Sequence, residues 1–166
     1  MPALASGVQA PEVELTGLDG HRFSLSAARA RGPVVLAFFK VNCPVCQLAF
    51  PYLERIFKAY SKSGSFTLVG ISQNNGADTA AFNREYGVSF PVLLDEKDTY
   101  PASNAYGLTN VPTVFVVSPQ GEIESTTVGW SKSEMTALNR KLAELSNAGP
   151  VQLFATGEKV PDFKPG

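Results

Sequence analysis

The chain has 166 residues, 44% of them hydrophobic and 17% charged, with 14 Lys plus Arg against 15 Asp plus Glu. That size and composition suit one globular domain with a real core, and a formal net charge of −1 leaves no basic excess for neutralising nucleic-acid phosphates. No apolar stretch approaches the ~20 residues needed to span a bilayer.

Residues 1–7 show neither the basic nor the apolar region of an export signal, which predicts a cytoplasmic protein. A chain whose signal had been cut and replaced by a start Met would look identical, so a periplasmic or extracytoplasmic location is the alternative. Val13 and Leu15 alternate with polar neighbours and predict a short strand. A turn at residues 17–20 then returns the chain as a strand over 21–25. Ser26 is the expected cap of a short helix running to Arg31, ended by Gly32 and Pro33. Residues 34–39 are apolar without alternation, as expected of a central strand covered on both faces.

A helix begins after Cys43 with Pro44 at its first position, where the missing N–H costs nothing. Val45, Leu48, Ala49, Leu53, Ile56, Phe57 and Tyr60 make its apolar stripe, and Pro51 is expected to kink it. Residues 65–72 read as a second central strand, 78–86 as a helix closed by Gly87, and 90–94 as a third strand. Another short helix covers 100–106. Residues 113–117 and 122–128 form a hairpin around the turn at 118–121, and a last amphipathic helix spans about 131–145. Residues 147–166, with three Pro and three Gly, predict an extended tail rather than a second domain. The expected architecture is α/β with strands of mixed direction.

The only two cysteines stand as Cys43-Pro44-Val45-Cys46, between a strand and a helix. A helix N-terminus carries partial positive charge and free N–H groups, which favour thiolate at the first cysteine. The second lies one turn on, on the same face, and can close a disulfide. This is the geometry of a dithiol that cycles between reduced and oxidised states. A zinc site needs about four ligands, and beyond the cysteines the chain has only His21 as a His or Cys. His21 itself follows a turn and reads as solvated. Phe38, Phe39 and Phe50 read as core, and Trp130 as a packing or rim residue.

Strand, Cys-x-x-Cys, a helix with Pro51 inside it, and a later Val111-Pro112-Thr113 opening a strand together resemble the thioredoxin fold. The resemblance is closest to its redoxin and alkyl-hydroperoxide-reductase/thiol-specific-antioxidant group. Two stretches carry that closer likeness: Ala10-Pro11-Glu12-Val13-Glu14-Leu15 with Leu18-Asp19-Gly20, and Phe90-Pro91-Val92-Leu93-Leu94-Asp95 with Ala105-Tyr106-Gly107-Leu108. The implied fold is a mixed central sheet flanked by helices, with an N-terminal β extension and a central αβ insertion. Its core covers about residues 8–146 of a single domain, 1–166. The resemblance also implies that Pro112 is cis, beside the dithiol, and that Val111 pairs with substrate backbone.

Departures from the family pattern are informative. Asn42 precedes the first cysteine where Trp or Thr is usual. Ala37 and Ala49 stand where many thioredoxin-like reductants place an acid, so the usual proton acceptor near the buried thiol is missing. Peroxidatic members carry Pro-x-x-x-Thr/Ser-x-x-Cys; here Leu36 replaces the proline and Lys40 the hydroxyl residue. Lys40 reads as a solvated strand end, or alternatively as a thiolate modulator. An ammonium ~6 Å from the Cys43 sulfur at an effective dielectric of about 20 contributes at most roughly 3 kcal/mol.

The expected function is thiol–disulfide exchange, with Cys43 as nucleophile, Cys46 as resolving thiol, and Val111 and Pro112 shaping the substrate groove. No organic cofactor or metal is needed. The partners would be a disulfide-containing protein or small thiol and a dithiol reductase, with no nucleic acid and no membrane span. The alternatives are a thiol peroxidase, weakened by the missing hydroxyl, and a non-enzymatic binding module, weakened by the intact dithiol.

Overall fold

The computed structural model describes residues 2–166. Five strands form the central sheet in the order β5 (Val92–Leu94), β4 (Thr67–Ser72), β3 (Val34–Phe39), β6 (Thr113–Val117) and β7 (Ile123–Val128). β3, β4 and β5 run parallel, while β6 is antiparallel to β3 and to β7. This is the mixed sheet of a thioredoxin fold. Ahead of it, β1 (Glu14–Thr16) and β2 (Arg22–Ser24) pair as an antiparallel hairpin.

The unbroken apolar run of β3 has a direct cause. Its residues are completely buried and divide by alternation between two cores. Val35, Ala37 and Phe39 face α2 (Pro44–Tyr60) and α5 (Lys132–Leu145), with Leu53, Ile56, Leu138 and Leu142 opposite them. Val34, Leu36 and Phe38 face the other side, toward Leu25 of α1 (Leu25–Ala28), Ala102 of α4 (Pro101–Ala105) and Tyr106. α3 (Gly76–Tyr86) contributes Phe82 to the first core. There the Phe39 ring lies 4.3 Å from Phe50 and 4.9 Å from Phe82, centroid to centroid, tying the end of β3 to α2.

Several local expectations shift in instructive ways. The cap of α1 is Ser24, whose hydroxyl accepts from the Ala27 amide, whereas the Ser26 amide is taken by the Glu12 carboxylate. α1 is correspondingly only 4 residues long and continues as a 3₁₀ turn over Arg29–Arg31. α3 starts two residues before Asp78 because Asn75 caps it, its side chain accepting from the Asp78 amide at 2.8 Å.

The tail from residue 147 carries little regular structure, yet it is docked. Leu153 is buried, and the Arg55 guanidinium holds the Glu158 carboxylate with two parallel bonds of 3.0 and 3.1 Å. The indole N–H of fully buried Trp130 donates to the Pro161 carbonyl at 2.6 Å. Beyond it, β9 (Phe163–Lys164) pairs antiparallel with β8 (Trp130–Ser131). Among the described residues, no helix is long and apolar enough to cross a membrane.

Candidate active site

The dithiol sits where β3 ends and α2 begins. Cys43 is the N-cap of α2: its backbone is extended, and its sulfur accepts the Cys46 N–H at 3.2 Å, the place a Ser or Asp oxygen takes in an ordinary cap. Pro44 follows as the first helical residue and leaves no orphan donor. Cys43 is half-buried, whereas Cys46, one turn deeper, is completely buried; both are free thiols. Burial pushes the Cys46 thiol far above its ordinary range, and the hydrogen bond with Cys43 adds to it. A backbone hydrogen bond from Lys40 and the charge of Lys40 pull the other way without offsetting this.

The loop between β3 and Cys43 is pinned at Val41 on both sides. Its N–H donates to the Asn74 side-chain carbonyl at 3.0 Å, and its C=O accepts from the Gln47 side chain at 3.0 Å. Gln47 lies one turn along the helix that Cys43 caps, so the helix start and the preceding loop are fixed together. Neither residue stands out in the sequence, because Asn74 comes from the loop after β4, 33 residues from Val41.

Opposite the dithiol lies the turn leading into β6. The Val111–Pro112 bond is cis, as the resemblance implies. The Thr113 hydroxyl donates to the Asn110 carbonyl at 2.7 Å and closes the turn, while the Gly129 N–H donates to the Pro112 carbonyl at 2.7 Å. The Val111 carbonyl accepts from the Cys43 thiol at 3.4 Å. Thus Cys43, Cys46, Val111 and Pro112 converge on one spot.

Lys40 is exposed at the end of β3 and lines a polar recess with Gln73, Thr109, Asn110 and Val111. Ala37 and Ala49 are buried and place no carboxylate near Cys46. The nearest buried acid along α2, Glu54, is fully engaged elsewhere: it accepts from the Ser89 amide and hydroxyl and from the Phe90 amide. His21 is exposed and pairs with Asp19. Among the described residues no three His, Cys, Asp or Glu gather as metal ligands.

A dithiol in this setting, with one sulfur reachable and one held protonated in the core, can exchange with an incoming disulfide. Comparisons with known proteins agree with the architecture. The chain is 31% identical over 132 residues to the thiol-disulfide oxidoreductase ResA of Geobacillus kaustophilus, covering 80% of this chain and 74% of that protein. It is 29% identical over 136 residues to the thioredoxin-like protein YneN of Bacillus subtilis, covering 80% and 77%. The solved structure of a thiol-disulfide oxidoreductase from Bacteroides fragilis superposes with a TM-score of 0.70 at 26% identity, covering 83% of this chain and 99% of that one. The AhpC/TSA family profile matches residues 6–126, and on that match the chain belongs to the AhpC/TSA family.

Proposed function

We propose that the protein is a thiol–disulfide oxidoreductase that works through a mixed disulfide on Cys43. The observation that carries this reading is the asymmetry of the pair: Cys43 half-exposed at a helix start against the Val111 carbonyl, Cys46 buried one turn below. The relatives named thiol-disulfide oxidoreductase support it.

In the reducing direction the Cys43 thiolate attacks one sulfur of a substrate disulfide. That S–S bond breaks, and the leaving sulfur departs as a thiolate that takes up a proton. Cys46 then gives up its proton and attacks the Cys43 sulfur, releasing the second substrate thiol. The protein ends with a Cys43–Cys46 disulfide, and two electrons have passed to the substrate. A dithiol reductase would restore the starting state. Val111 and Pro112 form the wall against which the substrate backbone lies. Lys40, exposed beside the site, would add positive charge at the rim. The same dithiol would serve a cytoplasmic reductant or an extracytoplasmic one, since the compartment sets the direction of electron flow.

Trapping tests the assignment. Reduced Cys46→Ser protein mixed with glutathione disulfide should accumulate a stable glutathione adduct on Cys43, seen by intact mass and peptide mapping. Cys43→Ser should accumulate none. An adduct on Cys46 in the second variant, at a comparable rate, would reverse the two roles.

A further inference from the structure

We propose that residues 162–166 are a displaceable strap lying across the groove that a polypeptide substrate must enter, so that the protein admits small disulfides freely and extended polypeptides only after the strap lifts. This rests on the exchange reading above and concerns which partners reach the dithiol.

The strap sits on the substrate wall itself. Gly129, whose N–H holds the Pro112 carbonyl, has a positive φ of 78°, and a Cβ there would overlap the Lys164 carbonyl and come within 2.8 Å of the Gly166 amide. Gly166 lies against the turn on the other side. A Cβ built on it would fall 2.7 Å from the Val111 carbonyl, the oxygen that accepts the Cys43 thiol, and the Asn110 side chain donates to the Gly166 carbonyl at 3.0 Å. Only glycine allows so close an approach at both positions. The strap therefore crosses Gly129 and reaches the turn that carries Val111 and Pro112.

Its attachment changes abruptly at Pro161. Upstream, the tail is anchored by buried Leu153, the Arg55–Glu158 pair and the Trp130–Pro161 bond. Downstream, residues 162–166 are all exposed, and Phe163 turns 61% of its surface to solvent. They are held by a two-residue ladder, the Lys132 N–H to Asp162 carbonyl bond at 2.9 Å, and the Asn110 contact. A segment with few buried apolar contacts and exposed backbone bonds opens at low cost. What it covers is an edge with backbone groups to pair, the kind of surface on which an extended polypeptide adds as a strand. The partner that competes with the strap is thus an extended polypeptide flanking a disulfide, binding through its main chain.

The test compares the full chain with a form ending at Pro161, which keeps every upstream anchor. Each is reduced beforehand, and single-turnover oxidation is followed with insulin and with hydroxyethyl disulfide. Removing the strap should raise the insulin rate roughly three- to tenfold, the factor by which a mostly closed groove lowers apparent affinity, and leave the hydroxyethyl disulfide rate unchanged. Equal insulin rates with intact small-disulfide exchange would overturn the strap alone. No exchange with either substrate in the full chain would overturn the exchange reading and the strap with it.

A second measurement uses the full chain and does not depend on the shortened form folding. In Cys46→Ser protein carrying a ten-residue peptide as a mixed disulfide on Cys43, the Lys132 amide should lose hydrogen-exchange protection. The same protein carrying 2-mercaptoethanol should keep it. Retained protection in the peptide adduct would contradict displacement.

Discussion

At the scale of single residues, the two sulfurs differ in burial more than in sequence setting. Cys43 has solvent on one side, while Cys46 is completely buried and its thiol is pushed far above its ordinary range. Iodoacetamide should therefore label Cys43 long before Cys46 across neutral and moderately alkaline pH, as peptide mapping would show; preferential labelling of Cys46 would contradict the assignment. With Ala37 and Ala49 in place of an acid, neither position offers a carboxylate to the Cys46 proton. Release of the second substrate thiol should then rise close to tenfold per pH unit in the neutral range, following the Cys46 thiolate fraction. A flat profile in quenched-flow measurements would mean that another group accepts the proton. The Cys-x-x-Cys pair and Val111-Pro112 are legible in the sequence because their types and order are unusual. Asn74 and Gln47 are not, because their value lies only in meeting at Val41. Asn74→Ala leaves the Val41 N–H without its partner and should cost about 1–3 kcal/mol in denaturant unfolding. It should also slow exchange by loosening the loop that carries Cys43.

At the scale of elements, the inner strands β3, β4 and β6 are readable because they are buried on both faces and so run largely apolar without alternation, whereas edge strand β7 is partly exposed and mostly polar. The caps were less so: Ser24 and Ser26 both suit a helix start, and only the position of the Glu12 carboxylate decides between them. α2 bears most of the site, since it positions both cysteines and packs Leu53 and Ile56, fully buried, against the sheet. Leu53→Ala should cost about 2–5 kcal/mol by emptying that contact, measured by urea unfolding. A loss below ~1 kcal/mol would mean that the helix is held mainly by other contacts.

At the scale of the whole molecule, the tail is the part the sequence conceals. Its composition reads as extended chain, and it is extended. Its docking depends on pairs such as Arg55 with Glu158, which are separated by more than a hundred residues and carry no local signature. The Arg55 guanidinium holds the Glu158 carboxyl down from its ordinary 4.5 to about 2. A carboxyl depressed in the folded state contributes fully above its unfolded value and loses that contribution as pH falls from about 4.5 toward 2. Trp130, the single tryptophan, bonds to the tail at Pro161 and reports on its docking. Its fluorescence should change over that acid range in the native chain, and Glu158→Gln should already show the altered signal at neutral pH. On the proposed exchange function, the groups beside Cys43 should decide which oxidant the dithiol serves. A peroxidatic site needs a fixed donor that holds the peroxide and stabilises the departing oxygen, and Lys40 is a flexible exposed charge instead. The most direct measurement is stopped-flow oxidation of the reduced protein by hydrogen peroxide and by a protein disulfide at equal concentration. Exchange with the disulfide should be faster by orders of magnitude; oxidation by peroxide at an equal or greater rate would contradict the account.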